Sequence, residues 1–207
     1  MLRIIVVGLV VLVAAMFLLP RGGGLRLQPE VATMLPEPRE LPGVRFTAKN
    51  GTDFPSESLA GQPTLLFFGF TNCPDICPLT LQTLATALAE IEKRNPKRAP
   101  RVAFVSVDPR RDTPSRINAY LDNFDPNFIG LSAPDAVLAP LLAALGVSVH
   151  KEEIDGQHYN VVHSGTIYVL DETGRWVAFF GGSEHKVETL VSDYLRIAYT
   201  TGAAAAP

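Results

Sequence analysis

Two cysteines stand four positions apart in Gly69-Phe70-Thr71-Asn72-Cys73-Pro74-Asp75-Ile76-Cys77-Pro78-Leu79-Thr80-Leu81, and the 207 residues contain no others. A disulfide framework would use more cysteines at wider spacing, so this pair reads as a redox dithiol or as part of a metal site. Structural stapling is the weaker use, because closing so short a loop removes little chain entropy. Pro78 lacks a backbone donor and suits the first helical position, which would make Cys77 the residue at the cap. A thiol there faces unpaired amide hydrogens and the positive end of the helix dipole, so its pKa is expected to fall. Pro74 stiffens the loop, and both sulfurs can turn toward one point, for a metal or for each other.

A metal would need further ligands, and four histidines are present. His150 and His158 border the polar segment Lys151 to Gln157 and read as solvated loop residues. His185 falls in the expected first turn of the last helix and reads as exposed. His163 lies in Tyr159-Asn160-Val161-Val162-His163-Ser164-Gly165, just before an expected strand. Two thiolates with one imidazole make a soft donor set. Monovalent copper accepts thiolates at low coordination number, and divalent copper accepts them together with imidazole. Zinc prefers four ligands, and an iron–sulfur cluster ordinarily needs four.

The elements that must position these groups can be read from patterning. Val44 to Thr47 and Thr52 to Phe54 flank Asn50-Gly51, a strong hairpin turn. Thr64 to Phe70 and Val102 to Val107 are short apolar runs of the kind buried on both sheet faces. Leu81, Leu84, Leu88 and Ile91 repeat at helical spacing between them. Thr113-Pro114 opens a second helix striped by Ile117, Tyr120, Leu121 and Phe124. Phe128 to Leu131 follows as a short strand. A helix from Pro134-Asp135 then turns Val137, Leu138, Leu141, Leu142 and Leu145 inward. Thr166 to Leu170 and Trp176 to Phe180 form a hairpin across Asp171-Glu172-Thr173-Gly174, and a last helix starts at Ser183. Strands alternating with helices predict an α/β domain, with a central mixed sheet flanked by helices and the late hairpin as antiparallel edge strands.

The cysteine loop then falls between the first buried strand and its helix, which is the thioredoxin-like arrangement, at the strand ends where open α/β sheets hold ligands. Thiol exchangers of this fold usually have two residues between their cysteines; three here suit two thiolates held around an ion, without deciding the matter. Such folds carry a cis-proline in the loop that lies against the cysteines. No proline occurs from Val161 to Leu170, and His163 occupies that place.

Outside this domain the sequence divides simply. Residues 1–20 contain the uncharged apolar run Ile4 to Leu19, about 24 Å as a helix. With Leu2 and snorkelling arginines at its ends it spans a membrane; the rival is a cleaved signal sequence, but no A-x-A-like site follows. Residues 21–43, rich in proline and glycine, read as a tether, 44–200 as the folded domain, and 201–207 as a flexible tail. The net charge is −3, and no basic cluster interleaves with aromatics, which argues against a nucleic-acid partner.

Thr71-Asn72-Cys73-Pro74-Asp75-Ile76-Cys77-Pro78 after Phe67-Phe68-Gly69-Phe70 resembles the signature loop of the Sco/SenC family. So does Val105-Ser106-Val107-Asp108-Pro109-Arg110-Arg111-Asp112-Thr113-Pro114, and so does Tyr159 through Ser164, all in family order. The resemblance covers residues 44–198. It implies a thioredoxin-like domain on a single N-terminal transmembrane anchor, in the bacterial inner membrane with the domain in the periplasm. It implies copper, Cu(I) and Cu(II), held by Cys73, Cys77 and His163, with Asp108 either a tuning group beside the site or simply the end of a strand. It also implies delivery of copper to the dinuclear site of cytochrome c oxidase subunit 2, or to another copper-accepting protein. One departure is Val162, where the family commonly has an acidic residue; Asn72, where an aromatic is frequent, is a smaller one.

Three functions compete. The first is a metallochaperone, which is not an enzyme. The second is a thiol–disulfide oxidoreductase reducing the oxidase subunit's cysteines, in which Cys73 and Cys77 would be catalytic. The third is a peroxidase, left open by Thr71 and by the arginines at 110 and 111, and opposed by the second cysteine and by His163.

Overall fold

The computed structural model describes residues 28–155 and 158–204. Its centre is β4 (Thr64–Gly69), an apolar run in which every residue is buried. Such a run can only be a central strand, since burying each Leu or Phe side chain contributes about 1.5–3 kcal/mol. It pairs in parallel with β5 (Arg101–Ser106), which pairs in parallel with β6 (Ile129–Ser132). On its other side it pairs antiparallel with β9 (Ile167–Leu170), which joins β10 (Trp176–Phe180) across the expected hairpin. The sheet is therefore mixed, as read from the sequence.

The N-terminal hairpin is present as β2 (Arg45–Ala48) and β3 (Asp53–Pro55), turned at Gly51, whose φ of 85° favours glycine. It extends the sheet beyond β6.

Helix α1 (Ile76–Arg94) buries the predicted stripe of Leu81, Leu84, Leu88 and Ile91 and packs against α4 (Val187–Ala204). Helix α2 (Pro114–Leu121) is capped as expected, with Thr113 Oγ1 accepting from the Arg116 amide. In α3 (Asp135–Leu145), Leu138, Leu141 and Leu145 are buried and Leu142 packs against the core. Val137, expected inward, is exposed, because it falls off the stripe those leucines set.

Several expectations need correction. Thr33–Arg39, assigned to the tether, is a strand, β1, paired antiparallel with β10. The late hairpin is consequently interior on this side, and the edge strand is β1. Its prolines fit that position, since an edge strand can leave one side of its backbone unpaired. Asp193 secures the approach to β1: its buried carboxylate accepts from the amides of Glu30, Val31 and Ala32 at 2.8, 2.7 and 3.0 Å. The polar segment after α3 is a two-stranded sheet of its own, β7 (Val149–Asp155) with β8 (His158–His163). Helix α4 starts at Val187 rather than Ser183 and runs through Thr201–Ala204, residues read as tail. Among the described residues no helix is long and apolar enough to cross a membrane, and the Ile4 to Leu19 run lies outside them.

A domain begun at residue 44 lacks β1 and strips three amide donors from Asp193. Hydrogen bonds to a buried carboxylate contribute roughly 1.5–3 kcal/mol each, so it should unfold at least about 3 kcal/mol more easily than one begun at residue 28. Urea unfolding of the two domains measures the difference, and equal midpoints would contradict it.

Candidate metal centre

Three elements deliver three donor atoms to the carboxyl end of β4. Cys73 comes from the loop after the strand, Cys77 from the first turn of α1, and His163 from the end of β8. Cys77 is fully buried and Cys73 and His163 are partly exposed; their ligand atoms lie within 4.8 Å of one another. Both cysteines are free thiols. Gly69 permits the depth of Cys77: a Cβ there would sit 3.0 Å from the Cys77 sulfur and 2.7 Å from the Phe104 ring. A glycine inside a strand pattern marks such a close approach of another group, the signal by which sequence reading could have found it.

The helix begins at Ile76 with Asp75 as its cap, two positions earlier than read from Pro78. Cys77 is therefore inside the first turn with its side chain in the core, and the unpaired amides face Cys73 instead. The Cys77 amide donates to the Cys73 sulfur at 3.4 Å. The expected fall in pKa accordingly belongs to Cys73. The hydrogen bond from the Cys77 side chain lowers it to about 4, against the cost of burial, with help from the backbone amides of Asp75 and Cys77. Cys77 moves the other way, because its proton serves that hydrogen bond and because it is buried. One sulfur is an anion and the other holds the proton.

His163 Nε2 lies 3.3 Å from the Cys77 sulfur, and Nδ1 lies 2.9 Å from the Ser164 carbonyl oxygen. A carbonyl only accepts, so Nδ1 carries the hydrogen and Nε2 turns its lone pair toward the sulfurs. That is the tautomer a metal requires. The rings of Phe67 and Phe70 meet the imidazole edge-on, with centroids 6.3 and 5.6 Å away. Val162, half-exposed beside it, removes no ligand, and the Ser164 carbonyl orients the ring.

Asp108 touches none of the donors. Buried completely, it pairs with Arg111 and accepts from the Tyr159 hydroxyl at 2.5 Å. Arg111 also donates to the Tyr159 carbonyl at 3.1 Å and lies 4.0 Å over its ring. Asp108 thus ties the β8 strand, which ends in His163, to the loop after β5. The same residue also closes the turn at the strand end, accepting from the Arg111 and Asp112 amides.

Asp112, read only as part of a motif, does the equivalent for the cysteine loop. It accepts from the Thr71 amide and hydroxyl at 3.0 and 2.6 Å and from Ser106 at 2.7 Å. Arg116 caps the outside through Thr71 and Asn72.

Of the other histidines, His150 pairs across from Val162 in the two-stranded sheet, and His158 opens β8. His185 precedes α4 rather than lying within it; it is half-buried, and its Nε2 donates to the Gly165 carbonyl at 2.8 Å.

Donors around one small cation, with bonds of about 2.0–2.3 Å, sit roughly 3.5–3.8 Å apart, so this cluster needs only small shifts to close on an ion. Two sulfurs and one imidazole favour a soft metal of low coordination number. Among the described residues the cluster has three members and no fourth His, Cys or carboxylate.

Comparison with known proteins bears on which metal. The model of the SCO1/SenC family matches residues 37–198. An SCO2-like protein of Rickettsia prowazekii is 34% identical over 134 residues, 64% of this chain. The chain spans 64% of that relative's length. Arabidopsis thaliana ScoI, solved with copper bound, is 31% identical with a TM-score of 0.72, covering 77% of this chain and 98% of that one. Bradyrhizobium japonicum ScoI, also solved with copper bound, is 34% identical with a TM-score of 0.67, covering 76% of this chain and 98% of that one.

In the reduced protein, alkylation by iodoacetamide should track the Cys73 thiolate, rising through pH about 4 and staying level to neutral pH while Cys77 remains unmodified. A depressed thiol pKa stabilises the fold at high pH, and that contribution fades as pH falls toward 4. A midpoint near 8.5, the ordinary thiol value, would contradict the split between the two sulfurs.

Proposed function

The chain belongs to the SCO1/SenC family, and from that premise we propose that it is a copper metallochaperone. It holds one copper ion as cargo through Cys73, Cys77 and His163 and passes it to cytochrome c oxidase subunit 2 or to another copper-accepting protein. The observation that carries the reading is the convergence of two free thiols and a correctly protonated imidazole within 4.8 Å. Copper suits that set in both oxidation states, thiolates holding the monovalent ion and the imidazole favouring the divalent one. The same proposal places the chain in a bacterial inner membrane, anchored by the Ile4 to Leu19 run, with the domain in the periplasm.

A second reading follows from the unequal sulfurs. One low-pKa thiolate beside a protonated partner is what attack on a disulfide requires, so the dithiol could reduce the acceptor's cysteines instead. Exchange of this kind does not need the imidazole. Metal transfer does. Val162 supplies no carboxylate to assist proton transfer, which weighs against fast reduction.

The reduced domain should bind one copper per chain, and its divalent form should show a thiolate-to-copper charge-transfer band. Cys73→Ser or Cys77→Ser should abolish retention, because a hydroxyl stays protonated where a thiolate does not. His163→Ala should weaken retention, most for divalent copper. Offering an oxidised and a pre-reduced acceptor separately distinguishes the readings. Copper should reach the pre-reduced acceptor from wild type and not from His163→Ala. Fast disulfide reduction by both proteins, with no copper delivered, would establish the oxidoreductase.

A further inference from the structure

The register of the sheet decides from which end of the domain the N-terminal segment departs. Phe67, near the carboxyl end of β4, pairs with Ile167; Ile167 pairs with Phe180; and Phe179 pairs with Thr33 at the start of β1. Each step is antiparallel, so β1 starts at the end of the sheet where Cys73, Cys77 and His163 meet. Three strand spacings separate β1 from β4, about 14 Å.

The space between is filled by the loop that leaves β10. A Cβ on Gly165 would lie 2.8 Å from the Ser183 Cα, and His185 donates to the Gly165 carbonyl at 2.8 Å. Val31, Phe180 and His185 line one cavity of about 230 Å³. Val31, just before β1, thus shares a cavity with His185, which is bonded to Gly165 two residues after His163.

Asp193 makes the departure point firm. Besides its three amide donors it pairs with Arg196 at 3.1 Å, and Arg196 reaches the Glu30 carboxylate at 3.0 Å. Burial would raise the carboxyl's pKa, and the amides of Ala32, Glu30 and Val31 more than offset it, so the clamp stays charged.

We propose that this clamp presents the metal end of the domain to the membrane surface, so that copper enters and leaves the site within reach of the lipid headgroups. The inference rests on the anchor and metal readings of the proposed function. From Pro20 to Gln28 the chain reaches about 30 Å at full extension. A domain of this size is roughly 40 Å across. Had the chain departed from the opposite end, the same reach would let the metal site lie a full domain's width further from the lipid. Departing here, the leash itself keeps the site close.

The test uses the full chain, reduced and metal-free, in lipid nanodiscs. One maleimide is carried on a lipid headgroup through a short linker and another is free in solution, with Cys73 alkylation read by mass. A second version carries about 20 Gly/Ser residues between Leu27 and Gln28, which should leave fold and anchor intact while lowering headgroup labelling about fivefold through reduced effective concentration. Soluble labelling should be the same for both. Asp193→Asn should speed amide exchange at Glu30 to Ala32 and lower headgroup labelling in the same direction; if that variant does not fold, the insertion still decides. Soluble labelling without headgroup labelling, or headgroup labelling unchanged by the insertion, overturns the orientation while the anchor stands. Recovery of the chain free of the discs overturns the anchor, and the orientation with it. Copper titration of the same preparations tests the metal reading apart from either result.

Discussion

Asp108 and Asp112, four residues apart on the loop after β5, hold the two halves of the metal centre without touching a donor atom. Asp112 grips Thr71 and with it the cysteine loop; Asp108, with Arg111, grips Tyr159 and with it the strand that ends in His163. Both carboxylates are buried, and an unpaired buried charge costs several kcal/mol, so neither segment can drift without exposing or stranding one. The convergence of sulfur and nitrogen is therefore enforced from below. Gly69 completes the constraint by leaving room for Cys77 against the strand.

What the sequence made legible were the elements with strong periodicity and the residues with distinctive chemistry. The apolar run of β4, the stripe of α1, the Asn50-Gly51 hairpin and the Thr113-Pro114 helix start all follow from local rules, and all are where those rules put them. Cys73, Cys77 and His163 were legible for the same reason: few residue types can do this chemistry, and the chain contains few of them. What remained hidden depends on tertiary pairing. Thr33–Arg39 has the prolines of a linker and becomes a strand because β10 offers an edge and Asp193 offers acceptors. Lys151 to Asp155 reads as a loop because its polarity has no period, and it pairs with β8 in a small sheet outside the main one.

The helix start shows how a two-position shift changes chemistry. Reading Pro78 as the first helical residue puts the helix-end field on Cys77. Starting the helix at Ile76 buries Cys77, whose side chain then donates to Cys73 along with backbone amides of the first turn, and this reverses which sulfur ionises. The residue types and their spacing are identical in the two cases. Val162 illustrates a milder version: the sequence leaves open what orients His163, and the answer is a backbone carbonyl one residue on, which no pattern of side chains reveals.

Cys77 and His163 are 86 residues apart, and the imidazole arrives on a hairpin joined late in the chain. Before β8 docks, the chain offers a soft cation only a pair of neighbouring thiols. The complete donor set therefore exists solely in the finished fold. A cation that prefers three ligands to two binds that state more tightly than the two-thiol stage, and so acts as a checkpoint on the maturation of the domain that carries it.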